Sequence, residues 1–202
     1  MDIAQYIMIV ISAVFINNFI LSKFLGLCSF IGVSKETKAA LSMGMAVTFV
    51  TTMASIISWL VYNYVLIPYD ITYLRTITFI LVIASFVQLV EIIVQKTSPG
   101  LFRAFGIYLP LITVNCAVLG VAVLNSEMFF SNGKALSQSF PMSVVQGLSA
   151  GIGYTLAMFL MSGIRERLDL INVPKSLKGI PITFIIAALM SMAFLGFSGF
   201  KL

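Results

Sequence analysis

The chain carries two cysteines and no histidine, and the two cysteines stand in matching surroundings. CSFIGV (28–33) and CAVLGV (116–121) share the pattern Cys-x-x-x-Gly-Val, 88 positions apart (116 − 28). Two thiols can pack as small hydrophobes, form one bridge, or ligate a soft metal. Without histidine, imidazole-ligated haem, Rieske-type ligation, His-bound zinc and His general-base catalysis are excluded for this chain acting alone. No C-x-x-C pair of the thiol-oxidase kind is present.

An iron–sulfur cluster takes four thiolates, and this chain has two. Such a site closes only if a second subunit, or a second copy, brings the other pair. Gly26, Gly32 and Gly120 would let backbone N–H groups approach the sulfides and tune the potential. Lys23, five residues before Cys28, would either set a cation beside an anionic thiolate group or snorkel at a helix break. Asn17, Asn18 and Asn115 are expected as buried amides that cap broken helices, or that bond to sulfur or an ion. No catalytic residue is identified. At this level packing, a bridge and half of a shared metal site all stay open.

The elements that must position these residues are membrane spans. The chain has 202 residues, 60% of them hydrophobic and 9% charged, with a mean hydropathy of +1.08. Soluble domains carry about 25% charge, so this is an integral membrane protein, and its net charge of +5 is no nucleic-acid footprint. MDIAQYIMIV lacks a basic n-region and a small-residue cleavage site, so the first hydrophobic run is read as a true span. A span needs roughly 20 apolar residues. Six candidates follow, at 3–33, 39–66, 72–94, 101–124, 142–163 and 179–199.

With six spans both termini share one side, together with Arg75, Lys134 and Lys201. The other side collects Lys35, Lys38, Lys96, Arg103, Arg165, Arg167, Lys175 and Lys178. The richer side is cytoplasmic by the positive-inside rule, and both termini face out. The first candidate covers 31 residues from Ile3 to Val33, about 46 Å as one straight helix. A break near Ser22 to Gly26 accommodates that excess. Glu91 reads as an interfacial charge and the RER run at 165–167 as a cytoplasmic anchor or docking point.

The cysteine patterns extend into a repeat. Each is followed by a loop, by KAALS (38–42) or KALS (134–137), and by a small-residue span containing MGMA (43–46) or GLSAGIG (147–153). Three spans per repeat is an odd number, so the halves lie in opposite orientations, with a site near the midplane where they meet. The expected architecture is all-α: six transmembrane helices as two inverted three-helix repeats, 1–100 and 101–202, in one membrane domain, with helices 1 and 4 broken.

NNFILSKFLGLCSFIGVSK (17–35), YLRTITFILVIASFVQLVEIIVQKTSP (73–99), GIYLPLITVNCAVLGVAVLN (106–125) and IRERLDLINVP (164–174) closely resemble the RnfA/NqrE family of membrane subunits, and the RnfA type in particular. The likeness runs from about residue 15 to FLGFSGFKL (194–202). It implies membership of the Rnf complex in the bacterial inner membrane, which moves electrons between reduced ferredoxin and NAD⁺ while translocating Na⁺ or H⁺. It implies a homologous RnfE-like partner of opposite topology, with further subunits of the B, C, D and G types. It also implies a [2Fe–2S] cluster held between the pair, with Cys28 and Cys116 as this chain's iron ligands. No flavin or nucleotide signal is found on this chain, so that chemistry falls to other subunits. Other readings are an NqrE-like subunit of a Na⁺-translocating NADH:quinone reductase, a small inverted-repeat transporter, and a purely structural assembly subunit.

Overall fold

Charged and turn-forming residues punctuate an otherwise apolar chain, and the helices form between them. The computed structural model describes residues 3–97, 115–130, 136–171, 174 and 177–199, which contain helices and turns and no strand. Helix α1 (Ile3–Ile11) continues through a π-helical turn, Ser12–Ile16, into an irregular segment at 17–26. Then follow α2 (Leu27–Val33), α3 (Thr37–Val61) with a π extension Tyr62–Leu66, a short 3-10 turn Thr72–Leu74 and α4 (Arg75–Thr97). In the second half lie α5 (Cys116–Asn125) with a π extension Ser126–Phe130, α6 (Leu136–Asp169), and α7 (Ile180–Leu195) ending in a 3-10 turn Gly196–Gly199.

Among the described residues three stretches are long and apolar enough to cross a membrane: Thr37–Leu66, Thr72–Ile93 and Ser139–Asp169. Ile3–Ile16, Cys116–Phe129 and Ile180–Leu195 are shorter apolar helices. The three long stretches match the spans expected at 39–66, 72–94 and 142–163. The span expected at 3–33 is two helices separated by a break, as its excess length demands. That break opens at Asn17, five residues earlier than expected, because the π turn before it ends the helix there. The span expected to stop at 124 runs on: Asn125, Ser126 and Phe129 fell in an expected loop but are buried, since the chain continues as a π turn. The expected break in helix 4 and the boundary at 100/101 lie outside the described residues.

The centre of the fold is the packing of α3 on α6, and small residues make it possible. A Cβ at Gly44 would sit 2.7 Å from Thr155, and one at Gly151 would sit 2.6 Å from the Cα of Thr48. Thr51 Oγ1 donates to the Gly147 carbonyl at 3.3 Å. Partners thus climb one helix as they descend the other, so α3 and α6 run antiparallel. Between lipid-facing helices there is little hydrophobic drive, and such close backbone approach with interhelical hydrogen bonds is what holds them. By contrast α4 turns the stripe Phe79, Ile83 and Val87 inward and leaves Ile77, Ile80, Leu81, Leu89, Ile92 and Ile93 exposed. That periodicity is a single-sided contact, and the exposed face suits lipid or a partner helix.

Candidate functional site

The break in the first span is built rather than loose. Asn18, 1% exposed, accepts from the N–H groups of Ile20 and Leu21 through Oδ1 at 3.1 and 3.4 Å. Its Nδ2 donates to the carbonyls of Val14 and, from α6, Gly153, at 3.1 and 2.8 Å. Ser191 of α7 donates to the Leu21 carbonyl at 2.6 Å, and Leu25 N–H reaches the Phe19 carbonyl at 3.0 Å. Irregular backbone at membrane depth persists only when its polar groups are met like this. Asn18 therefore caps the break, as expected. Asn17 is exposed instead of buried and donates to Ser12 Oγ at 3.0 Å. It lies on the outer side of the turn that the early break creates.

The break delivers Cys28 into the first turn of α2, just after Gly26, whose φ of +82° lies in the left-handed region that glycine adopts without strain. Cys116 opens α5, capped by Asn115, whose Oδ1 accepts from Ala117 N–H at 3.0 Å. The two helix starts abut. A Cβ at Gly26 would stand 3.0 Å from Asn115 Oδ1 and 3.3 Å from the Ala117 methyl, and one at Gly120 would collide with Leu25 at 2.6 Å. Gly26 and Gly120 thus serve the close approach of the two cysteine-bearing elements to each other. Gly32 does not: it is exposed, with no heavy atom of the described residues within 4 Å of where its Cβ would be.

Beneath this junction Ser29 donates to the Gly26 carbonyl at 3.0 Å. With its proton so used, its oxygen accepts from the Tyr154 hydroxyl at 2.6 Å and from Asn115 Nδ2 at 3.5 Å. One serine thereby joins the residue after Cys28, the residue before Cys116 and the core of α6. Tyr154 and Ser29 were not singled out in the sequence. A tyrosine inside a Gly-rich run of a membrane helix was the available signal, since a buried hydroxyl needs a partner.

Both thiols are free and exposed at the surface of the chain, which does not fit the reading of two buried packing residues. Among the described residues no three His, Cys, Asp or Glu side chains gather to hold a metal by themselves. Lys23 is exposed beside a cavity of about 230 Å³ lined also by Asn17, Ser22, Ser191 and Phe194. Glu91 is half-buried on α4. In the RER run, Arg165 donates to the Ile31 carbonyl and Ser34 Oγ at 2.7 and 2.8 Å, while Glu166 accepts from Thr37 N–H at 2.9 Å and from its hydroxyl.

The Rnf-Nqr subunit family, described as membrane proteins, matches residues 6–201. The chain is 53% identical over 196 residues to the A-type subunit of the Na⁺-translocating ferredoxin:NAD⁺ oxidoreductase complex of Acetobacterium woodii, covering 97% of this chain and 98% of that protein. It is 50% identical to the A-type subunit of the proton-translocating ferredoxin:NAD⁺ oxidoreductase complex of Clostridium ljungdahlii, covering 97% of each. It is 52% identical to the A-type subunit of the ion-translocating oxidoreductase complex of Proteus mirabilis, covering 96% of this chain and 97% of that one. The chain belongs to the Rnf-Nqr subunit family of membrane proteins.

Proposed function

We propose that the chain is the A-type membrane subunit of an ion-translocating ferredoxin:NAD⁺ oxidoreductase, and that Cys28 and Cys116 are its two ligands to a [2Fe–2S] cluster shared with a homologous RnfE-like subunit. The observation that carries the reading is two exposed thiols, each in the first turn of a helix, on helix starts that touch. Two thiols supply half of a four-thiolate set, and their exposure suits completion by another chain. When bound, the cluster would supply one-electron transfer within the membrane.

This chain's residues do the holding and orienting. Gly26 and Asn115 fix the approach of the two elements, and Ser29 and Tyr154 lock them to α6. Lys23 is a cation close in sequence that would offset the added negative charge. The antiparallel pairing of α3 with α6 is what an inverted repeat requires of spans 2 and 5, and supports six spans; the Lys/Arg bias of the loops supports both termini on the extracytoplasmic side of a bacterial inner membrane. Ser34, Thr37, Arg165, Glu166 and Lys178 lie around one end of the bundle, which favours that end as cytoplasmic. The complex translocates Na⁺ or H⁺ as electrons pass, with other Rnf subunits providing the nucleotide and flavin chemistry.

The test is EPR with iron and sulfide analysis of the purified complex, wild type against Cys116→Ser. A reduced [2Fe–2S] signal lost from an assembled mutant supports the assignment. Unchanged iron and unchanged signals overturn it.

A further inference from the structure

A second polar cluster lies between α3, α5 and α6, built on residues outside the cysteine site. Asn125, the last residue of α5, is 0% exposed. Its Nδ2 donates to Ser55 Oγ and Ser143 Oγ, both at 3.1 Å, and weakly to the Ser143 carbonyl at 3.4 Å. Ser55 donates its own proton to the Thr51 carbonyl at 2.9 Å, and Ser143 donates to the Ser55 carbonyl at 3.3 Å. Both serine oxygens therefore face the amide with lone pairs only. That fixes its orientation, NH₂ toward the serines and oxygen away from them.

The oxygen so presented, Asn125 Oδ1, is buried and has no hydrogen-bond partner among the described residues. An unmet buried acceptor in an otherwise satisfied network marks an absent donor or ion. The helix also changes winding at the next residue, to the π turn Ser126–Phe130, a local irregularity that often accompanies function. The nearby acid, Glu127, is exposed and paired with Arg75 at 2.7 Å, so the cluster itself is neutral. Neutral oxygens do not hold a proton at ordinary pH, and they compensate poorly for stripping water from a divalent ion.

Resting on the ion-translocating reading above, we propose that Asn125 Oδ1 is a ligand in a transient site for a desolvated monovalent metal cation of the Na⁺ class. Ser55 and Ser143 are positioning residues that hold the amide with its oxygen presented. A cation there lies among membrane-crossing helices, on the element that begins at Cys116.

The experiment uses the purified complex and compares NaCl with choline chloride at constant ionic strength. Saturable thermal stabilisation by Na⁺ is expected in the wild type. Asn125→Leu raises the half-saturating concentration at least tenfold, and Asn125→Asp lowers it and makes it pH-dependent. Half-saturation unchanged in both variants overturns the site. So does a wild type with no saturable response, which would leave an ordered water at Oδ1. Should Asn125→Leu fail to assemble, Asn125→Asp decides alone. In liposomes energised by reduced ferredoxin and NAD⁺, ²²Na⁺ uptake that persists at the wild-type rate in Asn125→Leu overturns the site and leaves the ion-translocating reading standing. A wild-type complex that moves neither Na⁺ nor H⁺ overturns that reading and the site with it.

Discussion

Ser29 Oγ and the Tyr154 hydroxyl, 125 residues apart in the chain, lie 2.6 Å from each other inside the bundle. The bond fastens the short helix bearing Cys28 to the long central helix α6, and through Asn115 it reaches the helix bearing Cys116. Tyr154→Phe keeps the ring and removes only the donor. Its cost is expected at about 1 kcal/mol, read as a lower unfolding midpoint of the solubilised complex. Iron content should stay unchanged while the EPR g-values of the proposed [2Fe–2S] cluster shift. Unshifted g-values would leave Tyr154 a packing residue alone.

Gly26 sits at φ +82° with Asn115 Oδ1 where a Cβ would press. Gly26→Ala should cost about 1–2 kcal/mol in backbone conformation alone, with displacement of the Asn115 cap added. Iron analysis of the purified complex should show loss of the proposed cluster well beyond that in Gly32→Ala, because none of the described residues crowds Gly32. Equal retention by the two variants would mean that the close approach of the two helix starts does not govern cluster binding.

Much of this could be read in advance, and the limits are physical. Composition and the charge between apolar runs marked the long spans, since hydrocarbon thickness sets their length. The excess length of 3–33 announced a break, but its start at Asn17 depended on Asn18 reaching Gly153, 135 residues away. Matched Cys-x-x-x-Gly-Val patterns pointed to the two thiols, yet the different duties of Gly26, Gly120 and Gly32 arise from which neighbour packs on each. Asn125 was obscured because NSE reads as loop by composition, whereas the chain stays helical and buries it.

The α3–α6 contact should be the least tolerant surface in the chain. At Gly151 an added Cβ would meet the Thr48 backbone at 2.6 Å, and backbone cannot swing aside as a side chain does. Gly151→Ala is expected to destabilise by about 1–3 kcal/mol. Gly163→Ala, on the same helix with open space around it, is expected to be neutral or slightly stabilising because it favours helix. SDS-titrated unfolding of the two variants checks the contrast, and equal midpoints would contradict this packing.

The RER run at 165–167 is more than a patch of charge at one end of the bundle. Arg165 Nη1 bonds the Ile31 carbonyl and Ser34 Oγ, at the C-terminal end of α2, where a cation is favoured by the unpaired carbonyls. Glu166 accepts from Thr37 N–H at the first turn of α3, where a carboxylate is favoured for the opposite reason. Adjacent residues of opposite charge thus cap the two ends of one tight turn, and that turn sets where α2 and Cys28 sit relative to α6. Arg165→Ala should cost about 2 kcal/mol and speed proteolysis at 34–37. Arg165→Lys should recover less than half, because an ammonium lacks the planar fork. Glu166→Gln keeps the acceptor oxygen and should perturb less than Glu166→Leu. If Arg165→Ala and Glu166→Leu leave proteolysis of the turn unchanged, the run is an anchor of charge only.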